Sequence, residues 1–432
     1  MVLRRIKQAA MRNVWGRSVS EEIELDAVKS LPRLFFDQVA RFEGKPFLSA
    51  KQDGQWRGQS WSRVAEQVSS LAHGMQKLGV GNGDRVVIVA ENRPEWLIAD
   101  LAIMSIGAIT APAYTTNTTA DHSHILFDSG AKLAIVSTAR LLEKLVPAAD
   151  TASNLSTVVF MERAAMNVES EVELVHWDTI TETGPHPDID SQVDAVDRTA
   201  PACIIYTSGT SGKPKGVVLS HGAILCNCAG AYYFLKDLPG FALGKESFLS
   251  FLPLSHSYEH TCGQFLPMAI GAQIYYAEGP DKLVANMNDV SPTIITAVPR
   301  LYEAIRARIY RGVEQVGGLK ERLFLKTVFL GRKAYEHPGS LSFLERLQNA
   351  VLEKLIRKKV RQNFGGKLKA FVSGGAALNY EVGVDFLALG LRILQGYGQT
   401  ESAPVVSCNM PHRNKLHTVG PALRGVEVKI AA

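Results

Sequence analysis

The chain has 432 residues, of which 46% are hydrophobic and 21% charged, and its formal net charge is +5. This composition excludes a disordered chain, and the length predicts two or more packed units or one large α/β body made of subdomains. The mildly basic balance suits an anionic ligand, but zinc-spaced cysteines, an RNA-binding aromatic signature and a long basic run are all missing, so no nucleic-acid partner is expected.

Residues 1–30 form a basic N-terminal segment, in which five Lys and Arg residues precede the first acidic residue, Glu21. Apolar residues between Leu3 and Val14 can share one helical face, which leaves peripheral contact with a membrane open beside the alternative of a solvated terminus. The segment lacks the apolar core of a signal peptide, and the five cysteines show no paired framework. We therefore expect a cytoplasmic protein with reduced thiols, with peripheral contact at the inner membrane surface left open.

The elements that follow alternate between strand and helix. Strands are predicted at residues 84–90, 108–114 and 132–138. Asn92 is predicted to cap a helix that has Pro94 in its first turn, and a second helix is predicted over 121–130. Alternation of this kind predicts a parallel sheet with helices on its faces.

The stretch YTSGTSGKPKGV, residues 206–217, combines four hydroxyl side chains, three glycines and two lysines behind the buried strand 202–206. Hydroxyls, closely approaching backbone amides and positive charge suit a phosphate ligand, and loops at strand ends are where α/β folds bind ligands. The spacing excludes a Walker A loop, since only two residues separate the first two glycines and a proline follows the lysine of the Gly-Lys pair. The stretch therefore predicts a nucleotide-phosphate site of another kind.

The alternation of strands and helices continues to the end of the chain. Ser220 is predicted to cap a helix that runs through Leu225, and residues 300–361 form a long helical stretch whose charges are expected on a solvated face. The remaining predicted strands are 216–220, 247–255, 273–279, 293–299, 368–375 and 391–394, with an unfinished β segment at 425–432.

Two further glycine-bearing turns follow strands. GYGQTES, residues 396–402, leaves the ring of Tyr397 free to lie against a flat ligand, and Glu401 beside Thr400 offers a hard oxygen for Mg²⁺. SGGAAL, residues 373–378, suits an adenine edge held by backbone groups. Each turn alone is common in a protein of this size, but together with the first loop they predict one nucleotide site.

PLSHSYEH, residues 253–260, places His256 and Tyr258 after a strand, near the point where a substrate would meet the phosphates. A purely structural role for the histidine remains an alternative.

Taken in this order, the four stretches resemble the adenylate-forming superfamily of acyl-CoA synthetases, nonribosomal adenylation domains and luciferases. The resemblance runs from about Phe35 to the end, and FLPLSHSYEH, TAVPRLYEAI and the helical stretch before the Gly-Gly pair look most like long-chain fatty acyl-CoA synthetases. It implies an α/β fold, the large N-terminal body of the adenylate-forming enzymes, with parallel-rich sheets flanked by helices and a distorted β segment near the C-terminal end.

The resemblance also implies the chemistry and the ligands. A fatty acid would react with Mg²⁺-bound ATP to give acyl-AMP and pyrophosphate, and coenzyme A would then displace AMP. By matching positions, the site residues divide as follows. The phosphates would be held by Ser208, Gly209, Thr210, Ser211, Gly212, Lys213, Lys215 and Gly216, and Mg²⁺ would be bound by Thr207 and Glu401. Thr400 would contact the α-phosphate, and adenine would be held by Gly374, Gly375, Ala376, Gly396, Tyr397, Gly398 and Gln399. His256 and Tyr258 would border the acyl tunnel.

The implied organisation is an AMP-binding body over 31–432 with subdomains of about 31–200 and 201–400. Within it, a helical insertion is expected over about 301–362 and the start of a β subdomain over about 403–432. Ser211 and Ala377 stand where Thr and Pro are commoner; Ser211 keeps the hydroxyl, and Ala377 lies outside the reacting centre. Because no Thr-Gly-Asp motif and no mobile C-terminal domain follow Glu401, we expect this chain to bind nucleotide weakly and to turn over poorly by itself.

Other functions remain open at this stage. An aryl, amino or short-chain acid ligase would keep the fold and change the pocket. A non-catalytic module that senses ATP, AMP or acyl-adenylate would keep its function when Glu401 is replaced. The oligomeric state stays undetermined by the sequence.

Overall fold

The computed structural model describes residues 24–163, 168–207 and 212–431. The strands are β1 Pro46–Gln52, β2 Gln55–Ser60, β3 Arg85–Val89, β4 Ile109–Pro112, β5 Leu133–Val136, β6 Thr157–Phe160, β7 Glu173–His176, β8 Pro201–Thr207, β9 Lys215–Ser220, β10 Ser247–Ser250, β11 Gln273–Tyr276, β12 Ile294–Ala297, β13 Ala370–Ser373, β14 Ile393–Gly398 and β15 Val405–Cys408.

The longer helices lie between these strands. They are α1 Leu31–Phe42, α2 Trp61–Lys77, α3 Pro94–Ser105, α4 Thr119–Ser129, α5 Ala139–Ala149, α6 Trp177–Thr181, α7 Ile189–Asp194, α8 His221–Leu235, α9 Leu283–Val290, α10 Pro299–Val316, α11 Gly318–Glu336, α12 Phe343–Leu352, α13 Lys358–Gln362 and α14 Tyr380–Ala388. Short turns of helix occupy Leu25–Ala27, Ser257–Glu259, Leu266–Ala269, Pro280–Lys282 and Thr400–Ser402, and π-helical segments occupy His260–Phe265 and Glu353–Arg357.

The strands form two sheets. The first has the order β15-β14-β13-β12-β10-β11-β1-β2, and the second has the order β7-β6-β5-β3-β4-β8-β9. All neighbours are parallel except β1 with β2, β8 with β9, and β14 with β15. The predicted parallel α/β architecture is therefore confirmed, and each antiparallel pair is joined by a connection too short for a parallel crossover.

The boundary expected near residue 200 does not separate the two sheets. Strands β1 and β2, before residue 61, belong to the first sheet, whereas β8 and β9, after residue 200, belong to the second. Sheet membership follows spatial pairing, and chain order alone gave no sign that the first hairpin joins strands more than 200 residues away.

Helix α3 is buried between the layers on nearly every side, as expected of a helix that is apolar all round. The prediction that Asn92 caps it is wrong, because Arg93 occupies the cap position without a side-chain hydrogen bond. The Asn92 amide instead donates to the Leu252 carbonyl at 2.7 Å and to Ser250 Oγ at 3.2 Å. It thereby ties the end of β3 to the end of β10 in the other sheet.

Ser220 caps α8 as predicted, accepting from the Ala223 amide at 3.2 Å, but the helix continues to Leu235, beyond the predicted end. At the far end of the chain, residues 425–431 contain no strand, so the β segment predicted there is wrong over the described residues. Among the described residues, no helix combines the length and apolarity needed to cross a membrane. All five cysteines are free thiols.

Candidate active site

The ends of β13 and β14 form one wall of a small cavity. The two strands are parallel and in register at Val372 with Leu394 and Ser373 with Gln395, so the glycines after β13 and the glycines of β14 lie at the same sheet edge. The cavity has a volume of about 150 Å³. The predicted site residues that line it are His256, Tyr258, Gly374, Gly375, Gly396, Tyr397, Gly398, Gln399 and Thr400.

Tyr397 lies within strand β14 and not in a turn after it, so the prediction of a turn at GYGQ is wrong in this detail. The strand is prolonged because β15 pairs antiparallel with it, with Tyr397 opposite Ser407. The tyrosine is 54% exposed and lines the cavity, as a platform for a flat ligand requires. A Cβ at Gly398 would come within 2.0 Å of the Pro404 carbonyl oxygen, so only glycine allows this pairing.

Tyr258 forms the floor between the glycine turn and the core. Its hydroxyl donates to the Val372 carbonyl at 2.8 Å, and a Cβ placed on Gly374 would lie 3.0 Å from its ring. Burial raises the pKa of Tyr258 well above its usual range, so the phenol stays protonated and acts as a donor.

His256 caps the short helical turn before Tyr258, because its Nδ1 accepts from the Tyr258 amide at 3.1 Å. This bond leaves Nε2 as the protonated nitrogen. Burial lowers the pKa of His256 and favours the neutral ring. The structure thus gives the histidine a structural role and also places it on the cavity wall.

Thr400 and Glu401 belong to the short turn Thr400–Ser402 that follows β14. Thr400 Oγ1 lies 3.1 Å from Ser257 Oγ, which connects the turn to the Tyr258 segment. The Asn227 amide of α8 donates to the Val405 carbonyl at 2.8 Å and to the Ser402 carbonyl at 3.3 Å. Glu401 is exposed at the edge of the site.

The β8–β9 hairpin approaches the same turn from the second sheet. Thr207 and Lys215 are opposite each other at its loop end, and β9 packs beside Thr400–Ser402. Lys213 and Lys215 are exposed there. The three glycine-bearing stretches of the sequence therefore meet at one place. Of the predicted phosphate-loop residues, Ser208, Gly209, Thr210 and Ser211 lie outside the described residues, and Gly212 and Gly216 lie within them.

Helix α4 supports this hairpin through two contacts that the sequence did not reveal. The Tyr206 hydroxyl donates to Asp128 Oδ2 at 2.8 Å, and His124 Nε2 donates to the Pro214 carbonyl at 2.8 Å. No motif identified His124, Asp128 or Asn227, because single polar residues on helices are common for many reasons. Ala376 follows the glycine turn but does not line the cavity.

Mg²⁺ is compatible with the donors present at this edge. Magnesium in nucleotide sites keeps several waters and binds one or two protein oxygens together with phosphate oxygens. Thr207, on β8, offers a hydroxyl, and Glu401, on the turn that packs beside β9, offers a carboxylate. Over the described ranges, no cluster of three or more His, Cys, Asp or Glu residues is placed to hold a metal ion.

Beneath the site lies a buried polar network around Glu259, which the sequence analysis did not single out. Ser250 Oγ donates to Glu259 Oε1 at 2.6 Å and Thr296 Oγ1 donates to Oε2 at 2.7 Å. Burial raises the pKa of Glu259 to about 7, with the two hydroxyls partly opposing that rise. A π-helical segment, His260–Phe265, begins immediately after it. Such segments often mark functional sites.

A larger cavity of about 490 Å³ opens between the two sheets. It is lined by the ends of β1, β3, β4, β10 and β11, including Asn92, Tyr114, Phe251 and Tyr276. The Tyr276 hydroxyl donates to Gln264 Oε1 at 2.7 Å, and the Gln264 amide donates to Ser250 Oγ at 3.1 Å. The wall of this cavity is therefore hydrogen-bonded to the Glu259 network.

Comparison with known proteins identifies the family of the chain. The sequence profile of the family described as AMP-binding enzyme matches residues 35–432. The chain is 30% identical over 395 residues to the long-chain-fatty-acid–CoA ligase FadD15 of Mycobacterium bovis, covering 88% of this chain and 62% of that protein. It is 29% identical over 388 residues to the peroxisomal long chain acyl-CoA synthetase 6 of Arabidopsis thaliana, covering 87% and 52%.

The fold is also that of solved structures. The chain resembles a crystal structure of the long-chain-fatty-acid-CoA ligase FadD1 from Archaeoglobus fulgidus with a TM-score of 0.66 at 19% identity, covering 92% of this chain and 69% of that one. The chain spans 62% of the length of the mycobacterial relative and about half of the plant one. The family match over nearly the whole length identifies the chain as a member of the AMP-binding enzyme family.

Proposed function

We propose that the chain belongs to an ATP-dependent ligase that activates a fatty acid as acyl-AMP and transfers the acyl group to coenzyme A. The observation that carries the proposal is that the β8–β9 hairpin of the second sheet packs beside the Thr400–Ser402 turn, next to the edge of the first sheet where Gly374, Gly375 and Tyr397 line one cavity. The relatives named as long-chain-fatty-acid–CoA ligases support the choice of acid.

Activation is needed because a carboxylate is a poor electrophile. In the first step a carboxylate oxygen bonds to the α-phosphorus of ATP and the bond to pyrophosphate breaks. In the second step the thiolate of coenzyme A bonds to the carbonyl carbon and AMP leaves. Such reactions depend mainly on positioning and on neutralising charge.

We assign the residues as follows. Lys215 and the hairpin neutralise the outer phosphates, and Thr400 contacts the α-phosphate. Thr207 and Glu401 hold Mg²⁺, which when bound neutralises phosphate charge. Tyr397 stacks on adenine opposite the Gly374–Gly375 turn. The hydrogen bonds from Asn227 support this assignment, because they fix the turn that carries the reacting side chains.

His256 and Tyr258 border the path of the acid from the core side. Burial keeps the imidazole neutral and the phenol protonated, so neither adds a charge that would oppose an aliphatic chain. The wall of the cavity between the sheets is hydrogen-bonded to the buried network beneath the site.

Nucleotide binding and acid-dependent pyrophosphate exchange test the proposal together. We expect this chain by itself to bind Mg²⁺-ATP weakly and to catalyse slow exchange. Palmitate should support more exchange than benzoate or acetate, and Glu401→Gln should lower exchange further, by about a hundredfold, while binding persists. Glu314→Gln, which changes an exposed carboxylate on α10, is the matched control.

Each alternative has its own signature in this assay. Exchange driven best by benzoate would favour an aryl-acid ligase. The fold of this chain is similar to that of a benzoate CoA ligase from Burkholderia xenovorans. Tight nucleotide binding without exchange for any acid, unchanged in Glu401→Gln, would favour a sensing module. Absence of nucleotide binding would overturn the proposal altogether.

A further inference from the structure

The helical insertion between β12 and β13 has an apolar surface that faces solvent. On α12 and the π-helical segment after it, five large apolar side chains are between 51% and 75% exposed. We call this set the apolar stripe; it consists of Phe343, Leu344, Leu347, Val351 and Leu355.

The spacing of the stripe places its members on one side of the helix. Positions i, i+1, i+4, i+8 and i+12 recur at the helical period, so the side chains form a continuous band. The other side is held to the protein: Leu352 is buried, and Glu345 pairs with Lys333 of α11 at 2.9 Å. An amphipathic helix normally turns its apolar face to the core, and here that face is turned outward.

The neighbouring helix extends the surface. On α11, Leu325 and Phe329 are about half exposed one turn apart, and the Lys326 ammonium lies 5.2 Å from the Phe329 ring centroid. The sequence analysis expected charges on a solvated face here, which did not anticipate that apolar side chains share it.

The insertion is also the basic part of the chain. Residues 299–362 contain fifteen Lys and Arg against six Asp and Glu, a surplus of nine, whereas the whole chain has a net charge of +5. Arg346, Lys354 and Lys358 are exposed beside the stripe, and within the described residues none of them makes an ion pair. Basic side chains that flank an exposed apolar helix face are the pattern of helices that lie in a membrane interface.

We propose that this insertion docks on the surface of a membrane that contains anionic phospholipids, with the apolar stripe among the acyl chains and the flanking cations at the headgroups. Charge disfavours a second copy of this chain as the occupant, because a symmetric dimer would bring two strongly basic insertions together.

The proposed membrane docking does not depend on the proposed enzymatic function. It would, however, explain how the enzyme reaches its substrate. Long-chain acids partition into membranes, so an insertion held at the lipid surface would keep the enzyme where its substrate is concentrated. That consequence, unlike the docking, rests on the fatty acid being the substrate.

Vesicle sedimentation tests the docking directly. The probes are vesicles of phosphatidylcholine alone and vesicles with about 30% phosphatidylglycerol, since anionic lipid attracts each nearby cation. We expect the chain to sediment with the anionic vesicles, and to do so less at about 500 mM salt than at about 50 mM. Leu347→Ser combined with Val351→Ser should weaken binding at least tenfold, and Lys354→Gln combined with Lys358→Gln should weaken it severalfold.

Two control variants show whether binding belongs to the stripe or to apolar and basic residues elsewhere on the chain. Phe127→Ser removes a side chain that is 83% exposed on α4 and should leave binding within twofold of wild type. Arg4→Gln combined with Arg5→Gln changes the basic N-terminal segment and should do the same. Circular dichroism and thermal melting of each variant confirm that it is folded.

Several outcomes would overturn the proposal. They are no sedimentation with anionic vesicles, unchanged binding of the Leu347 and Val351 double variant, or loss of binding in the N-terminal variant. A concentration-dependent dimer in sedimentation velocity, abolished by the stripe substitutions, would assign the surface to a second copy instead.

Discussion

Replacing Glu259 by Gln should change how the stability of the protein depends on pH. The carboxyl is fully buried, and burial raises its pKa from 4.5 to about 7. Between these two values the folded state holds a proton that the unfolded state has released. The free energy of unfolding of the wild type therefore falls as pH rises through this window, and the loss is complete above about pH 7.

The size of the effect follows from the width of the window. Each pH unit contributes about 1.4 kcal/mol, so the whole window amounts to about 3 kcal/mol. Glu259→Gln removes the titration but keeps the volume of the side chain. Its altered hydrogen bonds with Ser250 and Thr296 add an offset that does not vary with pH. Relative to wild type, the variant should gain about 3 kcal/mol between pH 4.5 and 7.5.

Urea unfolding followed by circular dichroism at pH 5, 6, 7 and 8 measures this gain. Burial lowers the pKa of His122 and His221 to about 4, and the stability that those rings contribute is present above pH 6.5 and lost below it. Both histidines remain in the variant, so their contribution cancels in the comparison. Glu314→Gln, at an exposed carboxyl, should show no trend. A constant difference between Glu259→Gln and wild type at all four pH values would refute the reasoning.

Three further substitutions probe residues that support or line the site. Asp100→Ala breaks a buried pair with His260, 2.7 Å apart, and should cost about 3–5 kcal/mol of unfolding free energy in urea; a loss below 1 kcal/mol would contradict the pairing. Gly374→Ala places a Cβ 3.0 Å from the Tyr258 ring and should weaken nucleotide binding about tenfold by titration calorimetry, whereas unchanged affinity would exclude a close nucleotide there. Asn227→Ala releases two carbonyls of the turn after β14 and should slow pyrophosphate exchange about tenfold; an unchanged rate would show that the turn is held otherwise.

The motifs predicted which glycine-bearing stretches lie close together because they are local in sequence. A glycine-bearing stretch after an apolar run implies a strand end, and parallel strands bring their ends to the same edge. That reasoning placed the Gly374 turn and Tyr397 together, and both line one cavity. The alternation of helix and strand gave the parallel sheets for the same reason.

The parts that failed depend on partners distant in sequence. Tyr397 lies within a strand because β15 pairs with it, and Asn92 bonds to the other sheet instead of capping its own helix. Strands β1 and β2 join the first sheet through β11, more than 200 residues later. The apolar residues of α12 recur with the helical period of about 3.6 residues, which shows that the helix is amphipathic. This spacing does not show which face of the helix points to solvent.

The most direct test of the account is to locate bound nucleotide on the chain. Photolabelling with 8-azido-ATP and Mg²⁺, followed by peptide mapping, reports which residues surround the purine. The account predicts labels on the peptides that carry Gly374–Ala376 and Tyr397, removed by excess ATP and strongly reduced in Tyr397→Ala. Labels that ATP removes from peptides elsewhere, with none at these two segments, would contradict a single nucleotide site formed by the three glycine-bearing stretches.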